Sequence, residues 1–435
     1  MILRTIIITL MLMPWGSMGA QAPAQPDGDV WTLDQCIAYA MTHATDIRRK
    51  RVEADNAREE RGAAAAGFMP SLSAGVGTQL SWGRNVDPET NTYNTITSFS
   101  NNYSVGGSLI LFDGAQTWNA FRKARLEVRR SDNALALAQD EKAIEVMERY
   151  VDAVYNEASL RIAEDKLADS RQLLLKTRRM ETLGMKSYPD VAQMEAQAAE
   201  DEYAVEHQKT AAQKAVMMLK KAMGMEVSEE IRVDGQLGAE THEAAGGPGL
   251  ASGRMTEAEH ALAAARLNYR ITCGKLWPSL SIGGGVSTGY YRNLSSSELG
   301  TSFSRQIKNN LGEYVYASLS FPLFNFATVR HVRKALGNVR LAEIEREEAR
   351  LNVGSDYRQA VLERDGYARE VVLMERKVAS DSVAHHLSTR KYEEGMLSTF
   401  DLHTSAQTLH NSRVRLLQTR LMAEIKKRLV EYYEE

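Results

Sequence analysis

The residues best equipped for chemistry in this sequence are four histidines near the C-terminus, His385, His386, His403 and His410. His403 and His410 stand seven apart, so a helix would carry both on one face. Imidazoles so placed suggest a metal ion, but a zinc centre wants a third ligand with defined geometry, and none accompanies them. They read as solvated helix histidines. Gly283-Gly284-Gly285 lacks the spacing of a dinucleotide loop and falls within a strand pattern, and Arg48-Arg49-Lys50-Arg51 reads as a solvated helix face. No Walker loop, nucleophile elbow or zincin helix occurs. Neither catalysis, nor a resident metal, nor a cofactor is expected. Asp190 and Asp401 differ from the rest because they recur in one context, after Gly184-Met185 and Ser187 and after Gly395-Met396 and Ser398. A carboxylate there is favoured by the dipole at a helix start.

What must position these residues is a chain of 435 residues with 53 Lys+Arg against 56 Asp+Glu, a net charge of −3. That balance argues against a nucleic-acid partner, whose binding surfaces carry a basic excess. Two cysteines, Cys36 and Cys273, supply no disulfide framework. Residues 1–22 have one early cation, a short apolar run and a small-residue exit, the pattern of a secretory signal peptide. Cleavage would follow Gly19, Ala20 or Ala24.

The remainder is duplicated. Pro70-Ser71-Leu72-Ser73 returns 208 residues later as Pro278-Ser279-Leu280-Ser281. Leu111-Phe112-Asp113 returns 212 later as Leu323-Phe324-Asn325, and the Gly-Met-x-Ser text returns 211 later. Markers in one order at a nearly constant offset imply two copies of one structural unit. Repeat 1 spans 23–224, with a helix over 32–66, strands over 71–82 and 103–112, a long helix over 115–183 and a helix over 190–223. A linker covers 225–254. Repeat 2 spans 255–435, with a helix over 255–273, strands over 280–291 and 314–324, a long helix over 327–394 and a helix over 398–435.

The strands alternate with period two. Leu72, Ala74, Val76, Leu80 and Trp82 fall on one face, and Ser71, Ser73, Gly75, Gly77, Gln79 and Ser81 on the other. A soluble sheet could alternate too, but its inner face would carry large residues. A second face of Ser, Gly and Gln suits a transmembrane barrel, apolar to lipid and polar to the lumen. Four strands cannot close a barrel, and unsatisfied edges in lipid cost several kcal/mol per group, so several chains must pool their strands. The run from Ala115 to Leu183 has neither Gly nor Pro over 69 residues, long enough for a helix of about 100 Å. Met147, Val151, Val154, Ala158 and Ile162 mark an apolar seam on it, at coiled-coil-like spacing.

With the opening Trp31-Thr32-Leu33-Asp34-Gln35-Cys36-Ile37-Ala38, the paired Pro-Ser-Leu starts, Leu111-Phe112-Asp113-Gly114 and the two Gly…Asp turns, the chain resembles the TolC-like outer membrane efflux protein family over essentially its whole mature length. The resemblance implies an α+β membrane protein. Its coiled-coil barrel of long helices would run on into a transmembrane β-barrel formed by a homotrimer, with 4 strands per chain and 12 in total. It places the protein in the outer membrane of a Gram-negative bacterium, with a large periplasmic portion in contact with a periplasmic adaptor (membrane fusion) protein and an inner-membrane pump. The implied role is the exit duct of a tripartite efflux or type I secretion system, exporting small molecules or proteins. By that resemblance Asp401, Thr404 and Asp190 are the candidate periplasmic gate. Leu183, Gly184, Met185, Ser187, Gly395, Met396 and Ser398 form candidate adaptor-contacting tips. Asp401 falls where members carry an inward acidic ring, and Thr404 stands where a second acid can sit. Lipopolysaccharide or adaptor contact is the alternative reading of the 48–51 cations. A structural envelope protein without transport is the alternative function, separated from a channel by bilayer conductance.

Overall fold

The computed structural model describes residues 30–87, 91–234, 249–295 and 301–434. The expected signal peptide and the Gly246-Gly247-Pro248 part of the linker lie outside them. In chain order the elements are β1 (Val30–Trp31), α1 (Leu33–His43), α2 (Thr45–Ala66), β2 (Ser71–Asp87), β3 (Thr92–Phe112), α3 (Gln116–Thr182), α4 (Tyr188–Met223), β4 (Arg232–Val233), α5 (Leu250–Gly274), β5 (Ser279–Asn293), α6 (Phe303–Asn309), β6 (Gly312–Ser320), α7 (Phe326–Glu393) and α8 (Thr399–Glu434). They form two compact units. One takes the described residues of Met1–Arg48, Gln139–Gly246 and Ala360–Glu431, and the other those of Arg49–Ala138, Gly247–Gln359 and Tyr432–Glu435.

The first unit is built on helices. Thr32 and Gln35 start α1 with a capping box, each side chain bonded to the other's backbone N–H. The expected helix over 32–66 breaks at Ala44, which is extended at ψ 131°. No Gly or Pro announces the break. It lies against Gly224, the residue that ends α4 at φ +74°, where a Cβ would come within 2.9 Å of Ala44 Cα. Beside it, β1 pairs in parallel with β4, a strand inside the segment expected to be linker. The Tyr150 hydroxyl, buried on α3, lies 3.1 Å from the Trp31 carbonyl and 2.8 Å from that of Asp234, and so pins the ribbon. Met147, Val151 and Val154 of the expected seam are buried with it, as is Cys36. Both cysteines are free thiols.

The second unit holds a four-stranded antiparallel sheet, ordered β2-β3-β5-β6. Its register carries the alternation across every strand. Leu72, Gly107, Gly284 and Val315 form one row, and Ala74, Val105, Val286 and Glu313 the next on the same face. Ser71, Ser108, Gly283 and Tyr316 form a row on the opposite face, followed by Ser73, Gly106, Gly285 and Tyr314. The glycines are needed there, since a Cβ on Gly283 would lie 2.6 Å from the Tyr316 ring. Leu72 is 79% and Val315 90% exposed, so the chain alone leaves the apolar face uncovered.

Several expected boundaries are corrected. Strands β2 and β3 continue through most of 83–102, taken as loop, because Tyr93, Thr95, Ile96 and Thr97 are residues that fit a pleated ladder. The loop over 292–313 contains α6, held by Gln306, whose side-chain amide bonds both backbone groups of Tyr291. The strand expected over 314–324 runs from Gly312 and stops at Ser320, two residues before Pro322 removes a donor. α5 starts at Leu250 rather than 255. No helix among the described residues is long and apolar enough to cross a membrane.

Candidate functional site

The two helical hairpins, α3–α4 and α7–α8, turn through the same backbone device. At the first, Gly184 takes φ +75° and donates to the Glu181 carbonyl, while Met185 donates to Met180 at 2.8 Å. At the second, Gly395 takes φ +76° and donates to Tyr392, while Met396 donates to Lys391 at 2.8 Å. This is the left-handed helix stop that glycine favours. Leu183, Met185 and Met396 are left exposed at the tips, with Tyr188 and Phe400 beside them.

Each return helix then opens on a serine–aspartate cap. The Asp190 carboxylate accepts from the Ser187 N–H at 3.0 Å and its hydroxyl at 2.7 Å. Asp401 accepts from the Ser398 hydroxyl at 2.7 Å, and its own N–H donates to that oxygen at 3.1 Å. Beyond this the copies diverge. Asp190 is half-buried and accepts a third bond, 2.9 Å from the Thr399 hydroxyl of the other hairpin. The Ser187 hydroxyl and N–H, then Thr399, hold its carboxyl below the usual carboxylate range. Asp401 is exposed and bonds only Ser398 among the described residues. Thr404, also exposed, turns its hydroxyl back onto the Phe400 carbonyl at 2.9 Å.

Sequence reasoning missed the residues that tie one hairpin to the other. Tyr392, 1% exposed, bonds Thr177 across the gap at 2.9 Å, and Lys186 Nζ sits 4.2 Å from its ring centroid. Lys176 pairs with Glu393 at 2.8 Å. Tyr392 and Thr399 have no like residue at the matching place in the other repeat, which holds Glu181 and Tyr188, so the duplication could not flag them.

Above these ties, His385, His386, His403 and His410 line one cavity of about 410 Å³ with Asp165, Asp169, Lys166 and Arg413. Here the reading as solvated histidines is corrected for His385 and His410, while His386 is exposed as expected. His385 and His410 are half-buried, and burial pulls both below the usual imidazole pKa. Among the described residues no group of three or more His, Cys, Asp or Glu is placed to hold a metal ion. The Arg48-Arg49-Lys50-Arg51 run lies on α2, where Lys50 pairs with Glu53 at 2.7 Å.

In its sequence the chain matches the family described as outer membrane efflux protein, over residues 37–225 and 252–428. No curated protein matches it. Its fold is similar to that of VceC, an outer membrane protein of Vibrio cholerae (14% identity, TM-score 0.79, covering 92% of this chain and 95% of that one). The MtrE outer membrane channel of Neisseria gonorrhoeae in its open state is also similar (18%, 0.73, 92% and 88%). So is the Campylobacter jejuni CmeC outer membrane channel (12%, 0.73, 92% and 85%).

Proposed function

The chain belongs to the outer membrane efflux protein family, and from that premise we propose that it is the exit duct of a tripartite efflux or type I secretion system, working as a homotrimer with a periplasmic adaptor and an inner-membrane pump. The protein is an outer membrane channel with a β-barrel and a large periplasmic portion. The observation that carries the assembly is the sheet: among the described residues β2 and β6 each have a neighbour on one side only, and an apolar row reaches from Leu72 on one edge to Val315 on the other. In lipid both edges must be satisfied. Pairing β6 of one chain with β2 of the next, three times over, closes twelve strands and leaves the Ser, Gly and Tyr rows facing a lumen.

The tips supply the rest of the reading. Leu183, Met185 and Met396 present apolar side chains around two like turns, a surface suited to the ends of adaptor hairpins. Gly184, Ser187, Gly395 and Ser398 shape those turns, and Asp401, Asp190 and Thr404 follow just inside as the gate. Native mass spectrometry of the detergent-purified protein is expected to give a trimer, and planar bilayers are expected to show discrete conductance steps. A monomer that never conducts would overturn this reading.

A further inference from the structure

We propose that an arginine-lined cavity beside the sheet is a binding site for the phosphate headgroup of an anionic phospholipid in the periplasmic leaflet of the outer membrane. Arg122, Arg125 and Arg129 of α3, Arg266 and Arg270 of α5 and Arg346 of α7 line one cavity of about 610 Å³, with Glu259 as its single carboxylate. Arg266 pairs with Glu343 at 3.0 Å. Among the described residues no ion pair engages the other five. Cations gathered this closely repel one another, and a phosphodiester that accepts paired N–H bonds from planar guanidinium groups relieves that repulsion.

The location selects the phospholipid. Trp118, Arg122, Arg125 and Arg129 recur at steps of four, three and four residues, so they share one face of α3. Trp118 and Phe121 meet Phe68 of the 67–70 connection, at centroid separations of 6.2 and 6.0 Å. This aromatic cluster lies where helix gives way to strand, with exposed Trp277 and Phe326 at the other such junctions. Tryptophan at the end of a membrane strand marks the lipid–water boundary. The arginines therefore face outward, about 6 to 17 Å beyond Trp118 at helical rise. Helical side chains lean towards their N-terminus. α3 runs away from the sheet and α5 towards it, so the two sets of arginines lean into the same space.

The test uses the full-length channel, stripped of lipid in detergent and titrated with phosphatidylglycerol, phosphatidylcholine and inorganic phosphate under native mass spectrometry. Saturable binding of phosphatidylglycerol is expected, with weaker binding of phosphatidylcholine, whose choline the arginines repel, and little displacement by phosphate. Joint Arg122→Gln, Arg125→Gln and Arg129→Gln should weaken phosphatidylglycerol on the order of a hundredfold, and Arg270→Gln alone about fivefold. Equal affinity for the two lipids, or variants that bind as the parent does, would overturn the site. Displacement by phosphate at equal concentration would make it a site for free anions and overturn the lipid assignment. An intact trimer without lipid preference sinks this proposal alone, whereas a monomer sinks the assembly alone.

Discussion

Ser170 on α3 donates its hydroxyl to Asp201 on α4, and 211 residues later the same two positions hold Asp381 and Ser412, with donor and acceptor exchanged between the helices. The lysine moves with the exchange. Lys166 reaches across its hairpin to Asp201 at 2.9 Å, while its counterpart Lys377 pairs with Asp381 one turn along its own helix at 2.8 Å. Both hairpins are thus cross-tied at one level by mirror-image solutions.

That exchange makes a prediction. Asp201 is 1% exposed and holds Lys166, Ser170 and Gln197, so Asp201→Ala strands a largely buried ammonium and should cost roughly 3 kcal/mol. Adding Ser170→Asp to Asp201→Ser installs the second hairpin's arrangement in the first. Thermal unfolding followed by circular dichroism should place this double variant within about 1 kcal/mol of the parent. A double variant no better than Asp201→Ala would refute the equivalence.

The histidine cavity predicts a pH response. His385 faces Asp169, Arg413 and His386, and His410 faces Lys166, Asp201 and Arg413. Burial lowers both pKa values, so the unfolded chain binds protons that the folded one refuses. Stability is therefore complete at neutral pH and falls as pH drops through the unfolded value of about 6.5. Below the folded values the loss levels off. Amide protection factors in α7 and α8, corrected for the intrinsic exchange rate at each pH, should fall between about pH 7 and pH 5, and paired His385→Gln and His410→Gln should flatten that slope. An unchanged slope would place the response elsewhere.

Gly114 predicts a folding defect. It sits at φ +71°, and a Cβ there would lie 2.3 Å from the Gly274 carbonyl oxygen and 2.7 Å from Trp277 Cβ. Asp113 beside it caps α3 through the Thr117 N–H at 2.8 Å, as Asn325 caps α7 through Thr328 at 3.0 Å. Gly114→Ala must move backbone and should cost more than about 2 kcal/mol, whereas Asp113→Asn, copying the second repeat, should cost under about 1 kcal/mol. Yields of folded protein after refolding would separate the two.

These cases show which features the sequence makes legible. Alternation over Ser71–Trp82 and the uninterrupted run from Ala115 announce themselves because each pattern repeats many times along one element. The break at Ala44 does not, since the residue it packs against is Gly224, some 180 residues away. Nor do β1 and β4, whose two residues each are too few for any period and depend on Tyr150. The tips lie between these extremes. Glycine, serine and aspartate at fixed spacing reveal both turns, but the Thr399–Asp190 tie lies between chain positions no local pattern links.

That tie separates the two carboxylates proposed for the gate. Asp190 answers to Ser187 and Thr399, so its charge is already engaged within the chain. Its depressed pKa gives stability that is present at neutral pH and lost as pH falls below the unfolded value of about 3.9. Thr399→Val should raise the Asp190 pKa and loosen the hairpins by about 0.5–1 kcal/mol, discounted for its exposure to solvent. Asp401, bonded among the described residues to Ser398 alone, is left exposed. In the proposed trimer three such carboxylates surround one axis and attract cations into the opening. Asp401→Ala is therefore expected to lower cation selectivity and block by multivalent cations while leaving the melting curve nearly unchanged, and Asp190→Ala to do the reverse. Reversal potentials and cobalt-hexammine titrations on reconstituted channels would read the first, and unfolding curves the second. If Asp401→Ala left both reversal potential and block unaltered, Asp401 would be a helix cap and the gate would lie elsewhere.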